Sequence, residues 1–204
     1  MSKQELQRRA FEASGVSYEE SLKATKLIPS LYERLGRESG MEELSTLFYD
    51  RVFDDTENDW FLSIFASSTK AEAIDNQYRF FVQTFGGPDL YRQKGKGKYT
   101  RLAGRHANYP ISHEAADLWV KHMEDAINEH KYLETTSNPC KYGQNQNNSV
   151  SEQHYNNNID MIEETKEAMR AYFRYTAHYI VVASEYMRDD QLSGGTKIDE
   201  GRVW

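Results

Sequence analysis

The sequence predicts an all-α fold. Apolar residues recur at helical spacing, i, i+3, i+4 and i+7, in four long stretches. Hydroxyl-x-x-carboxylate signatures, the mark of a capped helix start, punctuate the chain. No run alternates polar and apolar residues for long enough to make a strand. With 204 residues, 38% hydrophobic and 28% charged, the chain can bury one sizeable core.

The elements follow in order. Ser2-Lys3-Gln4-Glu5 and Ser17-Tyr18-Glu19-Glu20 have the capping form, but weak apolar periodicity follows them, so residues 1–28 read as a helical arm. The main domain is expected over 29–188. Its helix starts are Ser30-Leu31-Tyr32-Glu33 after Pro29, Ser39-Gly40-Met41-Glu42, and Thr69-Lys70-Ala71-Glu72. Behind the second start runs the stripe Met41, Leu44, Phe48, Val52, and behind the third Ala71, Ile74, Tyr78, Phe81, Val82, Phe85. Phe85-Gly86-Gly87-Pro88 is a helix stop. After Pro110 the stripe is Ala115, Leu118, Trp119, Met123, Ala126, Ile127. The last is Ile159, Ile162, Met169, Tyr172, Phe173, Thr176, Ala177, Ile180, Val181. The Gly- and Lys-rich stretch 92–97 reads as a loop. So does 134–158, a polar, Asn-rich insertion with little to bury, expected to be a mobile surface segment. Residues 189–204 read as a polar tail.

Bulk properties exclude several functions. A net charge of −7 weighs against nucleic acid and anionic membrane surfaces as partners. No apolar run approaches the roughly 18 residues of a membrane span, and residues 1–9 lack the apolar core of a secretory signal. A single cysteine, Cys140, rules out an intrachain disulfide and cysteine-rich zinc or iron–sulfur sites. It also fits a reducing, cytoplasmic setting. Nucleophile elbows, phosphate-cradling glycine loops and the two-histidine zinc helix are absent.

The candidates for chemistry are residues that interrupt the apolar pattern. Gln77 shares a face with Ile74 and Phe81, either as an edge residue reaching water or as a buried amide in want of a partner. Tyr49 follows Phe48 and would set its ring beside the core with its hydroxyl at a cavity or a neighbour. Trp119 is central on its stripe, as packing bulk or as an indole N–H donor. His106 stands in Arg105-His106-Ala107-Asn108-Tyr109-Pro110, read as a short non-helical stretch between two helices. It is either a loop residue that caps a helix end or a ligand to something held between them. Among the other histidines, His122 and His178 fall on or near apolar stripes, His113 opens a helix, and His130 and His154 border the insertion. An aromatic pocket with one imidazole and several neutral donors suits haem better than hydrolysis.

These residues resemble those of the truncated, two-over-two haemoglobins, specifically their second group in its plant and algal form. Leu31-Tyr32-Glu33-Arg34-Leu35-Gly36 resembles the family's opening segment, Phe48-Tyr49 its distal pair, and Trp60-Phe61-Leu62-Ser63-Ile64-Phe65 the turn packed on haem. Phe80-Phe81-Val82-Gln83 with Phe85-Gly86-Gly87-Pro88 and Tyr91 resembles the distal helix and its stop. Arg105-His106 with Tyr109-Pro110-Ile111 and Trp119 resembles the proximal block. The likeness covers roughly 30–130 and 160–187. It departs at Gly36-Arg37, where the family has paired glycines, and in the long insertion.

The resemblance implies a two-over-two globin-like helical sandwich with an N-terminal helical extension. It implies haem b, with His106 on the iron and Tyr49, Gln77 and Trp119 on the distal side. Phe48, Phe65, Ala73, Phe81, Tyr91, Arg105 and Met123 are expected to contact the cofactor, Arg105 and Tyr91 at a propionate. Ala73 takes the place of the distal histidine of vertebrate globins and cannot donate a hydrogen bond, so ligand stabilisation falls to Tyr49, Trp119 and Gln77. The implied ligands are O2, NO and CO. The implied chemistry is nitric oxide dioxygenation or peroxide reduction, with a reductase as partner and a homodimer as assembly, rather than bulk transport. The rival readings are a haem-based ligand sensor without turnover and an apo all-α interaction domain.

Overall fold

The computed structural model describes residues 2–65, 68–95, 104, 106, 111–134 and 150–192, with side chains of the last helix over 158–189. The described residues form helices α1 (Lys3–Ser14), α2 (Tyr18–Ser21), α3 (Leu31–Arg34), α4 (Arg37–Asp54) and α5 (Asp59–Leu62). These are followed by α6 (Lys70–Thr84), α7 (Leu90–Gln93), α8 (His113–Glu129) and α9 (Val150–Leu192). Short 3-10 turns span Leu22–Thr25, Ser63–Phe65 and Lys131–Leu133. No strand occurs among the described residues, and none of their helices is long and apolar enough to cross a membrane.

Four long helices make the sandwich. α4 packs on α6 in one layer, α8 on α9 in the other, and α4 also meets α8. Between them Met41, Leu44, Phe48, Val52, Val82, Met123, Ala126, Ile127 and Met169 are fully or almost fully buried. An aromatic seam joins α6 to α9. The Phe81–Phe173 and Phe85–Tyr172 centroids lie 5.2 and 4.9 Å apart, separations at which aromatic pairs attract beyond simple area burial. The N-terminal arm lies on the far half of α9, where Leu6 and Ala10 cover Tyr175, Tyr179, Val182 and Ala183.

Ser17, Ser30 and Thr69 each close a full capping box with the glutamate three residues on, while Ser2 caps α1 through the Glu5 amide. Ser39 does not start a helix. α4 begins at Arg37, and the Ser39 hydroxyl donates back to Gly36 O at 3.1 Å. The reason is the preceding turn. Gly36 and Arg37 both take the left-handed conformation, with φ of 79° and 64°, and this reverses the chain two residues early. The departure from paired glycines therefore leaves the turn intact and puts an arginine where a glycine sits more easily.

Three other expectations are corrected. Gly104 and His106 are helical; the restriction from Pro110 reaches only the residue before it, three positions beyond His106. Residues 150–158, expected to close the polar loop, form the first turns of α9. Extending an existing helix avoids the nucleation penalty, so a polar stretch can join one that tertiary packing holds further along. Ala71 is exposed, and Ala73 takes its place on the buried side of α6.

Candidate functional site

All four sandwich helices border a cavity of about 240 Å³. α4 contributes Tyr49, the turn after α5 Phe65, α6 Asn76, Gln77, Phe80 and Phe81, and α7 Tyr91. α8 contributes Ala115, Ala116 and Trp119. α9 contributes Tyr172, Phe173, Thr176, Ala177 and Ile180, and Phe61, Ile64, His106 and Ile111 complete the described wall.

Each polar group on this wall has a distinct character. Tyr49 is held edge-on by three rings, those of Phe48 at 4.9 Å, Phe65 at 5.8 Å and Phe53 at 6.3 Å. Burial pushes its phenol far above its ordinary value, so the hydroxyl stays neutral and remains a donor. Gln77 Oε1 is buried without a hydrogen-bond partner among the described residues. The amide's two ends are interchangeable by a flip, so what is buried is either an unmet acceptor or an unmet pair of donors, on a side chain that lines the cavity. Trp119 packs against Phe48 and Phe173, with centroids at 4.9 and 5.6 Å. His106 is half-buried. Among the described lining residues it alone offers an imidazole nitrogen, and no carboxylate, thiol, ammonium or guanidinium joins it. Such a wall can grip a flat apolar group, hold a metal by one nitrogen and donate neutral hydrogen bonds. Among the described lining residues none is an activated nucleophile of the kind hydrolysis needs.

The structure brings Tyr49, Gln77, Trp119, Phe65, Phe81, Tyr91 and His106 to one cavity. It does not put Phe48, Ala73 or Met123 on the wall; all three are buried in the core instead. Phe48 lies beneath Tyr49 and Trp119 because a residue next in sequence to Tyr49 on a helix points about 100° away from it. Arg105 lies outside the described residues. Sequence reasoning missed the wall role of Asn76, Thr176 and Ala177. The last two stood in the α9 stripe, but a stripe marks a buried face without saying what that face meets. Asn76 carried no signal beyond its place next to Gln77.

Comparison with known proteins bears on this geometry. A family model described as bacterial-like globin matches residues 30–141. The chain is 35% identical over 188 residues to the two-on-two hemoglobin-3 of Arabidopsis thaliana, covering 92% of this chain and 88% of that protein. It is 37% identical to the group 2 truncated hemoglobin 3-1 of Lotus japonicus, over 89% of this chain and 88% of that one. The chain belongs to the group 2 truncated, two-over-two haemoglobins. A bacterial member of the group, the group 2 truncated hemoglobin YjbI of Bacillus subtilis, is 35% identical over 96 residues, 47% of this chain and 67% of that one.

Membership in the family implies a haem cofactor and the binding of small diatomic ligands at its iron. The residues present fit that group. The wall offers one imidazole, broad aromatic faces, and an amide atom buried without a partner.

Proposed function

We propose that His106 is the haem-iron ligand and that Tyr49, Gln77 and Trp119 hold a diatomic ligand on the haem for redox chemistry on nitric oxide or peroxide. Haem, when bound, would supply an iron that can bind an imidazole nitrogen and a small diatomic ligand. The chain's own residues do the rest. Tyr49 keeps its proton, and its hydroxyl would donate a hydrogen bond to a ligand atom that carries partial negative charge. In a water-poor pocket such a hydrogen bond is worth more than in solvent. Gln77 satisfies its unmet amide on the same ligand, and the Trp119 indole supplies a second N–H. Together they slow ligand release. A ligand held for long suits chemistry on it better than delivery, and repeated turnover then needs an external electron donor. The observation that carries this reading is the meeting of a buried, neutral Tyr49 hydroxyl and an unpartnered Gln77 amide in a cavity with one imidazole.

One observation favours a second reading, ligand sensing. α9 carries both the cavity wall at Tyr172–Ile180 and the seat of the N-terminal arm at Tyr175, Tyr179, Val182 and Ala183, so a shift in the wall reaches the arm directly. The test has two stages. A Soret band on the purified protein that disappears in His106→Ala supports the iron assignment; an unchanged band overturns it. Catalytic consumption of nitric oxide or peroxide, with an electron donor supplied, separates turnover from sensing.

A further inference from the structure

Outside the cavity, two imidazoles face each other across the α8–α9 contact. His113 Nδ1 and His178 Nδ1 are 3.0 Å apart, and His178 Nε2 lies 3.2 Å from Asp117 Oδ1. His178 is 3% exposed, His113 half-buried, and the Asp117 side chain reaches solvent. The ring centroids are 5.3 Å apart and the ring planes differ by 21°. That centroid distance matches the nitrogen separation plus one ring radius at each end. The two centroids and two nitrogens therefore lie on one line, and the nearly coplanar rings meet edge to edge.

This alignment rules out a shared metal ion. Two nitrogen lone pairs pointing at each other can hold a metal between them only when about 4 Å apart, twice a metal–imidazole bond of roughly 2.0–2.1 Å. At 3.0 Å the axis holds one proton. Its direction follows from the neighbours. The Asp117 carboxylate can only accept, so His178 Nε2 carries hydrogen. Neutral His178 then presents a lone pair at Nδ1, and His113 Nδ1 must be the donor. A first extra proton goes to His113 Nε2 and leaves the axis intact. A further one has to enter the axis, where two N–H groups would collide.

We propose that Asp117, His178 and His113 form a hydrogen-bond relay that latches the start of α8 to α9 behind the cavity wall, and that full protonation of the imidazole pair opens it. The latch sits where it can act on the wall. His113 and Asp117 bracket Ala115 and Ala116 on α8, and His178 follows Thr176 and Ala177 on α9, all four being cavity residues. Among the described residues, Asp117 draws a proton toward His178, while His113 and Arg174 oppose it. Arg174 is itself paired with Glu124 at 3.1 Å. Burial is the largest influence and holds His178 below its ordinary value.

Nitrogen-15 NMR of the purified full chain in a diamagnetic state tests the latch. At neutral pH we expect His113 in its Nδ1–H tautomer, His178 in its Nε2–H tautomer, and a scalar coupling between the two Nδ1 nuclei. An Nε2–H tautomer at His113, or no coupling, overturns the proposal. Amide exchange gives the second measurement. On acidification through the imidazole range, protection of Ala115 and Ala116, corrected for intrinsic exchange, should fall tenfold or more, and in His113→Phe it should be low and flat with pH. Equal pH dependence in both proteins also overturns it.

Discussion

Phe48 touches two side chains of the cavity wall at once: its ring centroid lies 4.9 Å from Trp119 and 4.9 Å from Tyr49. It is fully buried and does not line the cavity. Its role is therefore to fix the spacing of the two side chains that do. Truncating a buried phenylalanine to alanine costs about 3–5 kcal/mol, and Phe48→Ala should show that loss in urea unfolding. Phe48→Leu keeps most of the volume and should cost about 1.5 kcal/mol or less. It should still speed O2 release, because Tyr49 and Trp119 lose their common support. A wild-type off-rate in Phe48→Leu would show that the donors are positioned independently of it.

Tyr49→Phe removes a hydroxyl and no packing. A hydrogen bond to a charged or strongly polarised acceptor is worth about 1.5–3 kcal/mol, so stopped-flow O2 dissociation should quicken by roughly tenfold to a hundredfold. Trp119→Phe should act in the same direction. Burial holds the Tyr49 phenol far above its ordinary value, so the wild-type off-rate should carry no phenol titration up to pH 10. A step there would mean the hydroxyl ionises in place and does not serve as a neutral donor.

Much of this was legible in the sequence, for reasons that differ by residue. The capping boxes at Ser30 and Thr69 could be read because both partners lie within four residues. Gln77 stood out because an amide on an apolar face conflicts with its neighbours, and the unmet atom is there. Ser39 misled because the real helix start is a backbone event, two left-handed residues whose φ no side-chain pattern records. Phe48 and Met123 were expected at the cofactor from the family resemblance, which carries over a position in the chain but not whether its side chain joins the core or the cavity wall; both lie in the core. The His113–His178 contact joins residues 65 apart, and only the packing of α8 on α9 reveals it.

Arg37 is exposed and takes φ 64°. A side chain there costs roughly 1–2 kcal/mol, against a glycine entropy penalty of about 0.5–1 kcal/mol. Arg37→Gly should therefore raise stability by about 0.5–1 kcal/mol, an unusual result for glycine at a helix end, with haem binding unchanged. Gly36→Ala should do the reverse. A Cβ at Gly36 would meet the Tyr132 ring at 2.4 Å, but that ring is half-exposed and can swing away. The loss is then mainly the backbone cost, about 1–2 kcal/mol. If Arg37→Gly destabilises the protein, the left-handed turn is held by contacts of the arginine itself.

Acid should weaken the fold through its buried imidazoles. His130 is fully buried, bonded to Gly40 O at 2.9 Å through Nε2, and its Nδ1 has no partner among the described residues. His122 is buried beside Asp55, at 3.0 Å. Burial is the largest influence on both and pushes each below its ordinary value despite the acceptors nearby. The sign follows from linkage. Below about pH 6.5 the unfolded chain takes up protons that the folded chain refuses, so the stabilising contribution is present above that pH and fades as pH falls through the folded values. Each such group changes the unfolding constant by up to roughly tenfold per pH unit within its window. Urea unfolding between pH 7.5 and 5 should therefore show a steady loss of stability. In His130→Leu the same titration should be shallower by one proton, even though the variant starts lower for want of the bond to Gly40. An equal slope in the two proteins would mean that His130 is protonated in the folded state and that its Nδ1 has found an acceptor.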